Sequence, residues 1–302
     1  MLITIFTPTY NRAPLLPVLY ESLCNQTFSD FEWLIVDDGS SDNTENVVDG
    51  FITEKMIHIS YYKKENGGKH RAINYGITKA EGELFFIVDS DDKLPSDALE
   101  IVAENYEHIR GKNDFAGICG LKAYFNGDLL PGIIDYDVLE CKGIDYHYRR
   151  GSSKGSDIAE YVVRTEVLKQ FRFPEYEGEN FCAESAIWNP IGNKYKYRYF
   201  NKVIYLCEFL EDGLSANSLK SRMRCPLGAM SIYKGLCSCD IPVKYKVKSA
   251  INYWRFFFCS NKRKENLIKV IYWPLLPLGL AMHLRDKKLV KRRLKIGRER
   301  KI

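Results

Sequence analysis

Residues 85–94 read FFIVDSDDKL. An unbroken apolar run ends on Asp89, Asp91 and Asp92, three carboxylates within four positions. An apolar run of this length with polar ends is the pattern of a strand buried on both faces. Carboxylates this close repel one another, so the chain gains by crowding them only if a positive charge is shared among them. Oxygen-rich clusters of this kind suit hard divalent cations, magnesium or manganese, rather than soft ones. The competing reading is a solvated turn, with the Asp91–Asp92 pair capping the helix predicted for LPSDALEIVAENYEHI (94–109). An acidic pair by itself does not separate the two readings, whereas its surroundings do.

Working outward, the first 90 residues alternate strand and helix. LITIFTP (2–8), FEWLIVD (31–37), IHISYYK (57–63) and ELFFIVD (83–89) read as strands. APLLPVLYESLCNQ (13–26) reads as a helix with its apolar face at Leu15, Leu19 and Leu23. Asn43 or Thr44 is the expected cap of ENVVDGFITE (45–54). GGKHRAINYGITKAEG (67–82) is a glycine-rich turn and a helix, with Gly82 as its stop. Such alternation implies βαβ units and a mainly parallel sheet covered on both faces. Ligands bind such sheets beyond the carboxyl ends of the strands. The first strand carries Thr7, Thr9, Tyr10 and Asn11 to that edge, the second Asp37 and Asp38, and the fourth Asp89, Asp91 and Asp92. The third leads into ENGGKH (65–70).

Beyond residue 93 the pattern is less regular. FAGICGLKAYF (115–125) reads as a strand, GSDIAEYVVRTEVLKQF (155–171) as a strand or short helix, and 193–215 as strand-rich. From about 216 onward it is helical and basic. The expected organisation is a domain over 1–215, in halves 1–95 and 96–215, followed by a helical, basic extension (216–302).

The 302 residues suffice for a full core. The start shows no secretory signal pattern. The nine cysteines are odd in number and contain no Cys-x-x-Cys, which argues against a disulfide framework or a zinc site and for reduced, mostly buried thiols. Residues 285–302 hold ten Lys/Arg against Asp286 and Glu299, a balance of +8, so the remaining chain carries +5 − 8 = −3. The basic character belongs to the tail and does not argue for a nucleic-acid partner. VIYWPLLPLGLAM (270–282) falls short of the ~20 apolar residues of a spanning helix. With INYWRFFF (251–258) and the cationic tail, it suits contact with an anionic membrane surface. The competing reading is a helical extension packed on its own domain.

FTPTYNR, WLIVDDGSSDNT, NGGKHRAINYGITKAEGE and FFIVDSDDKL, in this order and spacing, resemble the family 2 glycosyltransferases. The resemblance covers nearly all of the first 95 residues. It implies the GT-A fold, an α/β architecture with a Rossmann-like, mainly parallel sheet flanked by helices. It implies transfer of a sugar from a nucleotide-diphosphate sugar, UDP-linked by expectation, to a hydroxyl of a saccharide or lipid-linked saccharide. The setting it implies is bacterial surface polysaccharide synthesis in the cytoplasm, at the inner face of the plasma membrane. On this resemblance Pro8, Thr9 and Tyr10 pack the base, and Asp37 and Asp38 contact base and ribose. Asn66, Gly67, Gly68 and Lys69 flank the nucleotide, together with Ser90. Asp89, Asp91 and Asp92 hold Mg²⁺ or Mn²⁺, with Asp91 favoured.

Inversion at the anomeric carbon needs a carboxylate to take the acceptor proton. The late acidic motif of the family resembles AESAIW, giving Glu184 as the base with Trp188 on the same helix face. Glu177 and Glu179 are rivals. The second acid of the family's pair is missing here, and Pro190 stands where an arginine is common. Those departures keep open a catalytically inactive scaffold. A sugar nucleotidyltransferase is disfavoured, because FTPTYNRAP has no phosphate-binding glycines. Asp157 and Arg164 are expected to pair with each other, and His70 to be structural.

Overall fold

The computed structural model describes residues 1–132, 135–150, 159–208, 218–261 and 267–299, with side chains through 290. Its strands are β1 (Ile3–Thr9), β2 (Phe31–Asp37), β3 (Ile59–Lys63), β4 (Leu84–Ile87), β5 (Phe115–Tyr124), β6 (Val138–Lys142), β7 (Ala159–Arg164) and β8 (Lys196–Cys207). They form one sheet in the order β3-β2-β1-β4-β7-β5-β8-β6. β3, β2, β1 and β4 run parallel, β7 is antiparallel to both its neighbours, and β5 pairs parallel with β8. The helices over the first two thirds are α1 (Leu16–Cys24), α2 (Thr44–Glu54), α3 (Lys69–Lys79), α4 (Ala98–Glu107), α5 (Gly143–Tyr148) and α6 (Thr165–Gln170). Then come α7 (Ser185–Lys194), α8 (Ser218–Arg224), α9 (Pro226–Ser238), α10 (Val243–Phe257), a 3₁₀ turn (Val270–Leu275) and α11 (Leu276–Glu299).

The parallel half is in place because its strands are apolar on both sides: every residue of β1, β2 and β4 is buried. α1, α2 and α4 cover one face, where Leu19, Tyr20, Val48, Phe51, Leu99 and Val102 share a core with Trp33 and Phe86. α3 covers β1 and β2 at a different place, where Gly76 meets Phe6. The chain builds outward from β1 to β2 and β3, then returns to place β4 on the other side of β1. That reversal makes the β1–β4 pair a topological switch point, and sheets of this kind bind ligands beyond the carboxyl ends of the strands there.

Several local expectations are corrected. The buried face of α1 is Leu16, Leu19, Tyr20 and Leu23, while Leu15 occupies the N-cap and is half-buried. Asn43 sits at the N-cap of α2 but its side chain does not cap the backbone, its Oδ1 accepting from Asn46 Nδ2 at 2.6 Å; Asp42 Oδ1 instead accepts from the N–H and hydroxyl of Thr44, at 3.1 and 2.6 Å. Gly82 does not stop α3, which ends at Lys79 with Ala80 as C-cap. A side chain at 82 would meet Thr4 N at 2.4 Å, so the residue is small for close approach to β1. The stretch 155–171 holds both elements weighed for it, strand β7 and then helix α6. β6 and α5 were not anticipated. Asp157 lies outside the described residues; Arg164 donates to the carbonyls of Lys112 and Ile109 at 3.0 and 2.8 Å. All nine cysteines are free and six are buried.

By contacts the chain divides into two compact units, Met1–Phe173 with Pro190–Phe209, and Pro174–Asn189 with Leu210–Ile302. The first holds the sheet. The second has its own core, including Met230, Tyr253, Trp254 and Phe256. Among the described residues no helix is long and apolar enough to cross a membrane.

The α3–sheet contact sets a test. A methyl group at Gly76 would lie 2.1 Å from the Phe6 ring. Phe6 is itself fully buried and stacked on Phe85. Gly76→Ala is expected to lower unfolding stability by roughly 1–3 kcal/mol through overpacking, despite the better helix propensity of alanine, as read by urea denaturation.

Candidate active site

The parallel register aligns the edge residues. Thr9 of β1 lies opposite Asp37 of β2, which lies opposite Lys63 of β3. The loops that follow are tied together. Asn11, in the left-handed conformation (φ 53°), accepts through Oδ1 from Ser41 N at 2.8 Å, and its own N–H donates to Ser40 Oγ at 2.8 Å. Pro8 and Thr9 are buried and Tyr10 is exposed. The buried Thr9 hydroxyl has no hydrogen-bond partner among the described residues.

Asp37 is fully buried and braces the edge. Its carboxylate accepts from Ser40 N at 2.7 Å and from the Tyr61 hydroxyl at 2.7 Å. Burial, and then the Asp37 carboxylate, push that tyrosine well above its usual range, so it remains a donor. Asp38 holds the glycine turn. It accepts from Gly67 N at 2.9 Å, Gly68 N at 2.6 Å and Lys64 Nζ at 2.6 Å. Its backbone carbonyl accepts from Asn66 Nδ2 at 2.9 Å. Two glycines are dictated by this clamp. Gly68 has φ +96°, and Gly39 has φ +83° with Asn66 N only 2.9 Å from where a Cβ would stand.

The clamp sets Lys69 at the first position of α3. A cation there opposes the helix dipole, so propensity does not explain it. Its ammonium instead contacts both oxygens of Asp89, at 2.6 and 2.7 Å. Asp89, Asp91 and Asp92 each present a carboxylate oxygen, all within 4.8 Å of one another. Asp92 and Ser90 are buried, Asp89 and Asp91 half-buried. Burial, and next the charge of Asp89, push the Asp91 carboxyl up, against Arg12 and Lys69. The same two causes push Asp92 up to about 8, against the hydrogen bond that it accepts from Tyr205. A donor set made only of carboxylate oxygens, electrostatically short of positive charge, fits a hard dication.

Tyr205, on β8, is the site residue that sequence reasoning missed. Its hydroxyl donates to Asp92 Oδ2 at 2.6 Å and accepts from Asp89 N at 3.1 Å. Behind it Lys122 pairs with Glu160 at 2.8 Å. No local pattern marks Tyr205, since its partners lie more than 110 residues earlier. Lys64 could have been found, one residue outside the quoted turn.

The acid motif belongs to the second unit. Glu184 precedes α7, its carbonyl accepts from Ile187 N and Trp188 N, and its Oε2 accepts from Trp188 Nε1 at 3.1 Å. Indole and carboxylate thus meet at the i, i+4 spacing anticipated for them. Pro190 lies inside α7. Glu179 is buried and already engaged, accepting from Leu227 N at 2.7 Å and Gly228 N at 2.8 Å at the start of α9. Glu177 is exposed. His70 is buried in the first unit, edge-on to Phe173.

The fold is α/β, with an acidic, oxygen-only cluster that could hold a cation at the carboxyl edge of its parallel strands, and comparison with known proteins gives the class. Residues 4–130 match the profile of "Glycosyl transferase family 2". A glycosyltransferase of Haemophilus influenzae is 32% identical over 275 residues, covering 91% of this chain and 94% of that protein. The chain belongs to glycosyl transferase family 2. The GalNAc(5)-diNAcBac-PP-undecaprenol beta-1,3-glucosyltransferase of Campylobacter jejuni is 26% identical across 97% of both chains. With several other curated relatives the match spans only about a third of their length. The structure of S. aureus TarS 1-349 with UDP superposes at TM-score 0.62, with 19% identity, over 98% of this chain and 92% of that one. The mannosyltransferase PcManGT of Pyrobaculum calidifontis, solved with GDP-Man and Mn²⁺, gives TM-score 0.53 at 16% identity, covering 98% and 79%. These two likenesses establish the GT-A fold. The protein is a glycosyltransferase.

Two outcomes follow from the buried acids. The Asp92 carboxyl titrates higher folded than unfolded, so the stability it contributes is complete below about 4 and lost as pH rises through about 8. In metal-free protein Asp92→Asn is therefore expected to raise Tm by a few degrees at alkaline pH, the gain shrinking steadily on acidification to nothing near about pH 4, by differential scanning fluorimetry. Glu179→Ala removes two charge-assisted bonds to the start of α9 and is expected to cost about 2–4 kcal/mol in chemical denaturation.

Proposed function

We propose that this chain is an inverting glycosyltransferase that moves a sugar from a UDP-sugar to a hydroxyl of a saccharide, most simply a lipid-linked one, in assembly of a bacterial surface polysaccharide at the cytoplasmic face of the membrane. One observation carries the reading. Three carboxylates meet beyond the β1–β4 reversal, beside a lysine held at a helix start by a glycine clamp.

The base lies against Pro8, Thr9 and Tyr10, and Asp37 and Asp38 meet base and ribose. Asp38 already accepts three donors, so the contact it adds is a fourth, within the capacity of a carboxylate. Asn66, Gly67, Gly68, Lys69 and Ser90 flank the diphosphate. Asp89, Asp91 and Asp92 would hold Mg²⁺ or Mn²⁺, whose chemistry is to neutralise charge on the departing diphosphate. Lys69 adds a second positive charge at the same place.

Glu184 takes the proton of the acceptor hydroxyl as that oxygen bonds to the anomeric carbon. The bond from that carbon to the diphosphate breaks, and UDP leaves with the bonding electrons. The indole N–H of Trp188 orients the carboxylate. Support for the donor comes from related folds: TarS has been solved with UDP, and PcManGT with GDP-Man and Mn²⁺. Support for the acceptor comes from the full-length Campylobacter relative, whose substrate is a PP-undecaprenol-linked saccharide by its name.

The test is thermal shift with UDP, GDP, CDP and ADP, each with and without Mn²⁺. UDP is expected to stabilise the wild type only when Mn²⁺ is present, and Asp91→Ala to lose that response. Glu184→Gln is expected to keep it while turnover of the UDP-sugar falls by about 10²–10⁴-fold. A folded protein indifferent to every nucleotide would sink the proposal, and a response to GDP alone would overturn the donor.

A further inference from the structure

In the second unit α11 is pinned along one face. Gly279, His283 and Asp286 are buried at helical spacing, and Val290 is half-buried. A side chain at Gly279 would lie 2.3 Å from the Cβ of Trp254, so α11 and α10 are in close backbone contact there. Asp286, 1% exposed, accepts from the Arg255 guanidinium. The rotation of α11 about its axis is thereby set by packing.

The opposite stripe is apolar and open. Pro277, Leu280, Ala281 and Leu284 recur at i, i+3, i+4 and i+7, all exposed. The preceding turn adds Val270 (73% exposed), Ile271 (78%) and Trp273 (45%), and Leu278 is 53% exposed. A soluble monomer rarely leaves so much apolar surface contiguous without a use. Cations follow at once. Arg285, Lys287 and Lys288 are exposed, and residues 285–302 carry the whole +8 against −3 for the remainder. No described helix crosses a membrane, so such a face lies on a bilayer rather than through it.

We infer that this face, from Val270 to Lys288, docks on the surface of an anionic lipid bilayer. Apolar side chains and the Trp273 ring insert at the headgroup boundary, and the basic residues pair with lipid phosphates. Charge selects this occupant over a second copy of the chain. A two-fold dimer through the same face would bring the exposed Arg285, Lys287 and Lys288 of two copies together, whereas an anionic membrane complements both halves of the surface. The inference deepens the lipid-linked acceptor reading above but is separable from it, because docking needs neither donor nor acceptor.

The experiment is flotation of the full chain with vesicles of phosphatidylcholine alone or mixed with phosphatidylglycerol, at low and high salt, without nucleotide or saccharide. The chain is expected to float with the mixed vesicles, far less with phosphatidylcholine, and less as salt rises. Lys287→Glu and Lys288→Glu are each expected to weaken binding by roughly fivefold or more. Ile271→Ser/Leu278→Ser/Leu284→Ser, all at exposed positions, is expected to abolish flotation with Tm unchanged. Failure of the folded wild type to float, flotation of the triple variant like wild type, or a concentration-dependent dimer that the triple variant dissolves would each overturn the inference. None of these outcomes bears on whether UDP and Mn²⁺ bind.

Discussion

Mutual repulsion among Asp89, Asp91 and Asp92 is the constraint around which the first unit is arranged. Three carboxylates within 4.8 Å persist only if each is offset. The lysine of the glycine turn takes Asp89 in a two-oxygen contact, and a hydroxyl from the far half of the sheet bonds Asp92. What these leave unbalanced is answered by a proton or by a cation. A proton on Asp92 and a dication across the three groups are therefore competing ways of satisfying one charge deficit.

That compensation reaches deep into the scaffold. Lys69 can oppose the dipole of α3 only because Gly68 takes a positive φ and Asp38 holds the N–H groups of both turn glycines. Asp38 in turn stands where it does because its N–H is tied to Thr9 O, at 2.8 Å, just past the β1–β2 register. Tyr205 reaches Asp92 because the β4–β7–β5–β8 order brings the second half of the sheet alongside the parallel half. Each link is short, and together they tie the site into one piece.

The second unit sorts its acids by burial. Glu179 spends its charge on the first turn of α9, where the N–H groups would otherwise lack partners. Glu184 is half-buried and accepts from the Trp188 indole. Two carboxylates five residues apart thus differ in setting, one buried against the N–H groups of a helix start and the other half-buried beside an indole.

Hydrophobic periodicity and the order of four motifs determined the parallel half of the sheet, its carboxyl edge, the acid cluster and Lys69, because those properties rest on neighbours within a turn or a strand. Where the reading slipped, at Leu15, Gly82 and the cap of α2, the error was one of phase or of which close neighbour supplies a bond. Tertiary structure alone decided the rest. Tyr205 meets Asp92 across 113 residues, the stretch from Pro174 to Asn189 groups with the C-terminal helices, and α10 selects which side of α11 faces out. Such pairings arise from packing between segments far apart in the chain, and no periodicity within a segment encodes its partner.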